Sequence, residues 1–292
     1  MDRVFIVGCG DIGRRLARLW GEEGVPVSAL ARSPQSAHRL EALGVVPVTG
    51  NLDEPATLVR LPTKGALAYY LAPPPEGGDS DPRVRAFLDR IPPGEEPEKI
   101  VYMSTTAVYG DLRGEWATEE TSPAPGTARG KRRLDAENAF CAWGRGKNVP
   151  VVILRVAGIY GPGRLPVEKV REGAPVLAES ESPFSNRIHS EDLARICVAA
   201  AKRGRAGAVY NVSDGNPGTM AQYYDAVADL LGVPRPPVVT MDEARRVMGG
   251  RMLSYLSESK RVDNRKMREE LEVVLRYPTR ESGLAAIPVG KE

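Results

Sequence analysis

The first residues whose types and spacing could do chemistry are Gly8-Cys9-Gly10-Asp11-Ile12-Gly13. They follow the apolar run Val4-Phe5-Ile6-Val7 and lead into Ile12, Leu16, Leu19 and Trp20, which share one face at helical spacing. G-x-G-x-x-G between a strand and a helix is a phosphate cradle. The first glycine allows the tight turn, the second lets a pyrophosphate reach the backbone, and the third lets helix and strand pack closely. The helix N-terminus adds free N–H groups and the positive end of a dipole. Gly8, Cys9, Gly10, Asp11, Ile12 and Gly13 are therefore candidate contacts to a dinucleotide. The next strand pattern ends Leu30-Ala31-Arg32-Ser33. An acid there would take a ribose 2′-hydroxyl, whereas Arg32 and Ser33 suit a 2′-phosphate. The expected cofactor is NADP, with NAD left open.

Such residues need a scaffold, and the chain supplies its pattern. Short apolar runs at 4–7, 25–30, 45–48, 66–71, 100–103, 151–156 and 208–212 read as buried parallel strands. Helical patterns lie between them: Leu134, Phe140 and Cys141 partly line one, and Leu193, Ile196, Cys197 and Ala200 another. This alternation predicts an α/β, Rossmann-type doubly wound parallel sheet with ligands at the carboxyl ends of its strands. The expected division is a nucleotide-binding domain over residues 1–160 plus about 187–213. A smaller C-terminal substrate-binding lobe takes about 161–186 and 214–292.

Composition excludes several classes. The chain has 292 residues, 42% hydrophobic and 27% charged, with a net charge of +2. It can bury a large core unaided, and no whole-protein field draws it to nucleic acid or membrane. The basic run Lys131-Arg132-Arg133 reads as a solvated helix face. Cys9, Cys141 and Cys197 are odd in number and far apart, giving neither disulfide nor zinc spacing. No metal site is expected, and reduced thiols suggest the cytoplasm. No apolar stretch approaches the roughly 20 residues of a membrane span.

Four later segments carry a resemblance. Met103-Ser104-Thr105-Thr106-Ala107-Val108-Tyr109-Gly110 resembles the S-S-x-x-V-Y-G segment of extended short-chain dehydrogenases/reductases. Leu154 to Gly163 is similar to their L-R-x-x-x-x-Y-G-P-G stretch, Arg187 to Ala194 to I-H-x-x-D-L-A, and Tyr210-Asn211-Val212 to their Y-N-V strand. The order and spacing hold across nearly the whole chain. Ser259 to Asn264 and Tyr277-Pro278-Thr279 resemble an atypical subgroup of epimerase/dehydratase-like proteins. The resemblance implies a catalytic Thr105 hydrogen-bonding the substrate oxygen, and Lys131 holding the nicotinamide ribose. It places Asn51 and Leu52 near the adenine, Ala72 and Pro73 beside the ribose, and Ala157, Gly158 and Ile159 beside the nicotinamide. His189 and Asp192 take structural positions, the latter at a helix start.

The chain departs from the family at its proton donor. Aligning Lys131 with the lysine of Y-x-x-x-K puts Thr127 where the tyrosine belongs, and none of the ten tyrosines has a lysine four residues on. A threonine hydroxyl can donate a hydrogen bond but does not ionise usefully. Tyr109, Tyr160 or water are the candidates for proton delivery. Lys131 has the alternative of pairing with Asp135 on a solvent face. Sugar-nucleotide epimerases carry asparagine where Gly158 stands, and often arginine where Ser185 stands. Both losses argue against a nucleoside-diphosphate sugar, and Arg187 is expected to point elsewhere. The expected function is an NADP(H)-binding oxidoreductase-like protein, a reductase, epimerase or dehydratase acting on a small carbonyl or hydroxyl compound. The alternative is a non-catalytic NADP(H) sensor or regulator. A homodimer through Leu134, Phe140 and Trp143 is left open against a core role for them.

Overall fold

The computed structural model describes residues 2–288. The first half runs β1 (Val4–Val7), α1 (Asp11–Glu22), β2 (Val27–Ala31), α2 (Pro34–Glu41), β3 (Val46–Thr49), β4 (Leu67–Tyr70), α3 (Pro82–Leu88) and β5 (Lys99–Thr105). Then come β6 (Trp116–Ala117), α4 (Ala128–Lys147), β7 (Val151–Val156), β8 (Gly158–Tyr160), α5 (Val167–Arg171), β9 (Val176–Leu177), β10 (Phe184–Ser185), β11 (Arg187–His189), α6 (Ser190–Arg203) and β12 (Val209–Val212). The rest includes β13 (Gly218–Thr219), α7 (Met220–Leu231), β14 (Val238–Val239), α8 (Met241–Val247), α9 (Gly250–Leu256), β15 (Arg261–Val262), α10 (Arg265–Glu270) and α11 (Arg280–Ala285).

Seven strands form one parallel sheet in the order β12-β7-β5-β4-β1-β2-β3. The order reverses between β1 and β4, and such a switch point opens a crevice at the carboxyl edge. Strand side chains alternate between two apolar layers. Val4 and Ile6 face α1 and α6 with Leu16, Trp20, Leu193 and Ile196. Phe5 and Val7 face α3 and α4 with Val84, Phe87, Ala136 and Phe140. The expected strands are present with ends shifted by a residue or two.

Phe140 is fully buried against Tyr70 and Tyr102, Trp143 packs on the same core, and Leu134 packs beside Val108 and Tyr109. Phe140 is thus a core residue, while Leu134 and Trp143 pack on the core and stay partly exposed. A third apolar cluster gathers Tyr160, Val170, Val176, Tyr223, Tyr224, Val227 and Leu284 beyond the sheet's carboxyl edge. Its strands are two or three residues long and exist only by pairing with distant partners, β8 with β11, β9 with β14, β10 with β13. Asp192 does more than start a helix: its carboxylate accepts from the backbone N–H of Arg276 and of Tyr277, at 2.8 Å each, and so fixes that segment to α6. No described helix is long and apolar enough to cross a membrane, and no group of metal-ligating side chains is found among the described residues.

Candidate active site

The glycine loop lies at the carboxyl end of β1, beside the switch point. A Cβ on Gly8, whose φ is +95°, would come within 2.5 Å of the Ala72 backbone nitrogen. Glycine is obligatory there, and Ala72 is set against the loop. Gly10, by contrast, faces open space where its Cβ would be. That is the fit expected of a cradle a pyrophosphate approaches. Ile12 and Gly13 pack inward, while the Asp11 carboxylate is shared by Arg15 at 3.1 Å and Arg164 at 2.5 Å. The Cys9 thiol is pushed up to about 11 by burial and stays protonated. All three cysteines are free.

At the end of β2, Arg32 is exposed and makes no hydrogen bond or ion pair among the described residues. Ser33 is the N-cap of α2: its hydroxyl accepts from the Ser36 N–H, and Ser36 answers in a reciprocal capping box. The Ser33 hydroxyl is thus spent on the helix, and Arg32 alone is free for an anion. Past β3, Asn51 hydrogen-bonds Glu54 and Leu52 is half-buried. The neighbouring Asp53 is held two-pronged by Arg83, at 2.7 and 2.6 Å. The Pro73 carbonyl accepts from the same arginine.

Beyond the edge lies a cavity of about 480 Å³ between the sheet and the third apolar cluster. Thr105, at the end of β5, lines it together with Ala157, Gly158 and Ile159. The Thr105 hydroxyl accepts from the Ala107 N–H at 3.3 Å. The other four candidates, Tyr109, Tyr160, Thr127 and Lys131, do not line it. Tyr109 is fully buried, donates to Asn211 at 2.7 Å, and its phenol is pushed up by burial. Tyr160 is likewise buried and donates to the Thr279 carbonyl. Thr127 is the N-cap of α4, accepting from the Gly130 N–H. Lys131 is exposed and pairs with Asp79 at 3.1 Å, not with Asp135, which is bound by Arg85.

The helix face toward the site belongs to other residues. Arg133, two positions after Lys131 and so on the other side of the helix, donates to the Met103 carbonyl at 2.9 Å and reaches the Ala72 carbonyl at 3.5 Å. One turn earlier, Arg129 lines the cavity with its guanidinium 4.1 Å from the Tyr255 ring centre. The residues of α4 at i, i+4 spacing that face the site are therefore Arg129 and Arg133, whereas Thr127 caps the helix and Lys131 faces out to Asp79. Arg132–Arg133 is not a solvated run, since Arg133 turns in. The register could have been read from Ala136, Glu137 and Phe140, which are buried and continue the stripe of Arg129 and Arg133. Sequence reasoning also missed Lys169, Tyr223, Tyr255, Glu258 and Lys260 on the lining, because loops and late helices deliver them.

Contrary to the expectation from an extended segment, Arg187 does not point elsewhere. It points into the cavity, its guanidinium 3.9 Å from the Tyr223 ring centre. His189 keeps a structural role: its Nδ1 accepts from the Glu191 N–H and burial lowers its proton affinity.

A doubly wound sheet with this glycine loop and a cavity at its carboxyl edge defines a nucleotide-binding protein of the short-chain dehydrogenase/reductase type. Residues 88–213 match the model of the NAD dependent epimerase/dehydratase family. YeeZ of Escherichia coli K12 is 29% identical over 258 residues, covering 81% of this chain and 86% of that protein. A solved structure of a functionally unknown conserved protein from Silicibacter pomeroyi is 32% identical, covers 98% of both chains and has a TM-score of 0.84. The dTDP-glucose 4,6-dehydratase of Bacillus anthracis, solved with NAD, shares the fold at 20% identity and a TM-score of 0.75, over 97% of this chain and 94% of that one. Residues 88–213 thus carry the pattern of the NAD dependent epimerase/dehydratase family, on a fold shared over nearly the whole chain with solved epimerases and dehydratases of that kind.

Proposed function

We propose that this chain is an NADP(H)-dependent oxidoreductase acting on a small carbonyl or hydroxyl compound. The observation that carries it is the pairing of an open glycine cradle at Gly10 with an exposed Arg32 at the end of β2, which makes no hydrogen bond or ion pair among the described residues and feels Asp53, held by Arg83, only at longer range. The Gly10 backbone and the α1 N-terminus would hold the pyrophosphate, Arg32 the 2′-phosphate, and Arg133 with Ala72 would border the nicotinamide ribose. The bound nicotinamide supplies hydride exchange. Three free thiols support a reducing, cytoplasmic setting.

The chain's own groups then orient the substrate. Thr105 offers a hydroxyl to the substrate oxygen. Arg129, on the cavity wall one turn before Arg133, offers guanidinium N–H donors to negative charge developing there. A guanidinium does not release its proton near neutral pH, so proton transfer falls to water in the cavity.

The test is a fluorescence titration of the full chain with NADPH and with NADH, for wild type and Arg32→Ala. The expected outcome is NADPH tighter by about tenfold or more, about 1.4 kcal/mol, with the preference lost in the variant. Equal affinity for both cofactors would overturn the NADP assignment, and binding of neither would overturn the oxidoreductase.

A further inference from the structure

Among the described residues, Arg187 is a cation with no anion at ion-pair distance. Its Nε is buried with no hydrogen-bond partner, and Nη2 finds only the Met220 sulfur at 3.4 Å. Asp214 acts on it electrostatically but lies beyond ion-pair distance. The Tyr223 ring holds the guanidinium from below. Burying a guanidinium N–H without an acceptor is unfavourable, so the site is arranged for an acceptor from outside.

The arrangement depends on Gly158. Arg187 and Gly158 are partners in the β8–β11 pair. A Cβ at Gly158 would come within 2.8 Å of Arg187 Nη1, so the absent side chain is the space the guanidinium uses. The cavity wall around it is one-sided in charge. Arg129 and Lys169 also line it, and the sole lining carboxylate, Glu258, is tied to Lys260 at 2.9 Å.

We propose that the substrate carries an acidic group, a carboxylate or a phosphate, received by the fork of Arg187. The inference rests on taking this cavity as the substrate site. Because Arg187 adjoins the Ala157–Ile159 strip and shares the cavity with Thr105, the acidic group lies near the reacting carbon. The substrate class is therefore a small hydroxy or oxo acid, or a small phosphate ester. A planar guanidinium selects such groups by paired hydrogen bonds.

The experiment titrates malonate, inorganic phosphate and the uncharged malonamide into the full chain at constant ionic strength. NADPH fluorescence and melting temperature are the readouts. Malonate or phosphate is expected to bind and malonamide not to, with Arg187→Gln weakening the anion at least tenfold while NADPH affinity changes less than twofold. Preference for malonate assigns a carboxylic acid, and preference for phosphate assigns a phosphate ester. Equal response to malonate and malonamide in wild type, or undiminished anion binding in Arg187→Gln, would overturn the proposal. Should Arg187→Gln not fold, Arg187→Lys replaces it: loss of the fork with retained charge is expected to weaken the anion severalfold, and an unchanged affinity counts against it. The melting series is repeated without cofactor, so a failure of NADPH binding leaves the Arg187 result readable.

Discussion

At the scale of single residues, α4 turns on two side chains two positions apart. Lys131 leans out to Asp79, while Arg133 reaches the Met103 and Ala72 carbonyls at the carboxyl ends of β5 and β4. Replacing each by methionine should separate them: Arg133→Met is expected to weaken NADPH by about tenfold, near 1.4 kcal/mol, and Lys131→Met to leave it within twofold. Titration of both variants decides, and the reverse ranking would restore Lys131. The glycine loop, Thr105 and the Ala157–Ile159 strip were legible in sequence, because they follow a strand whose end fixes where they stand. Helix α4 was not, since a lysine is a conspicuous anchor but the facing side of a helix is set by what is buried. Arg187 was misread for a related reason. An extended segment gives alternating directions, and only the empty place at Gly158 decides which one a long side chain takes.

At the scale of elements, α4 is fastened to the sheet by charge as well as by Phe140. Glu137 is bound by Arg155 at 2.8 Å, both nearly inaccessible, and accepts from the Ser104 hydroxyl at 2.5 Å. Arg155 in turn lies 4.8 Å from the Tyr109 ring centre. Removing one partner leaves a buried charge, so Glu137→Ala should cost about 3–5 kcal/mol in urea unfolding. A loss under 1 kcal/mol would mean water already shares the pair. The central strands were readable because buried parallel strands are continuous apolar runs. The two- and three-residue strands beyond the sheet carry no such signal, as their partners lie far along the chain and tertiary pairing alone defines them.

At the scale of the whole molecule, Asp214 sits just beyond the sheet, following β12, with Oδ2 unpartnered. Burial pushes its carboxyl up to about 7, against the pull of the Asn216 N–H, Arg187 and Arg280. A raised carboxyl favours the protonated folded state, so its contribution is complete below about pH 4 and is lost as pH climbs through about 7. Asp214→Asn should therefore gain stability relative to wild type between pH 4 and 8, the difference growing with pH. Melting temperatures across that range measure it, and a constant difference would show that Asp214 titrates as an ordinary acid.

The Asp192 carboxylate has a consequence for biosynthesis. Its two backbone partners are 84 and 85 residues further along. Once β12 has cleared the ribosome every strand of the seven-stranded sheet can pair, yet the carboxylate that will tie down Arg276 and Tyr277 has neither partner until they emerge. The first turn of α6 thus keeps its carboxylate hydrated for the time it takes to translate the intervening segment. Arg187 and the lining of the cavity are complete only after Lys260 has followed.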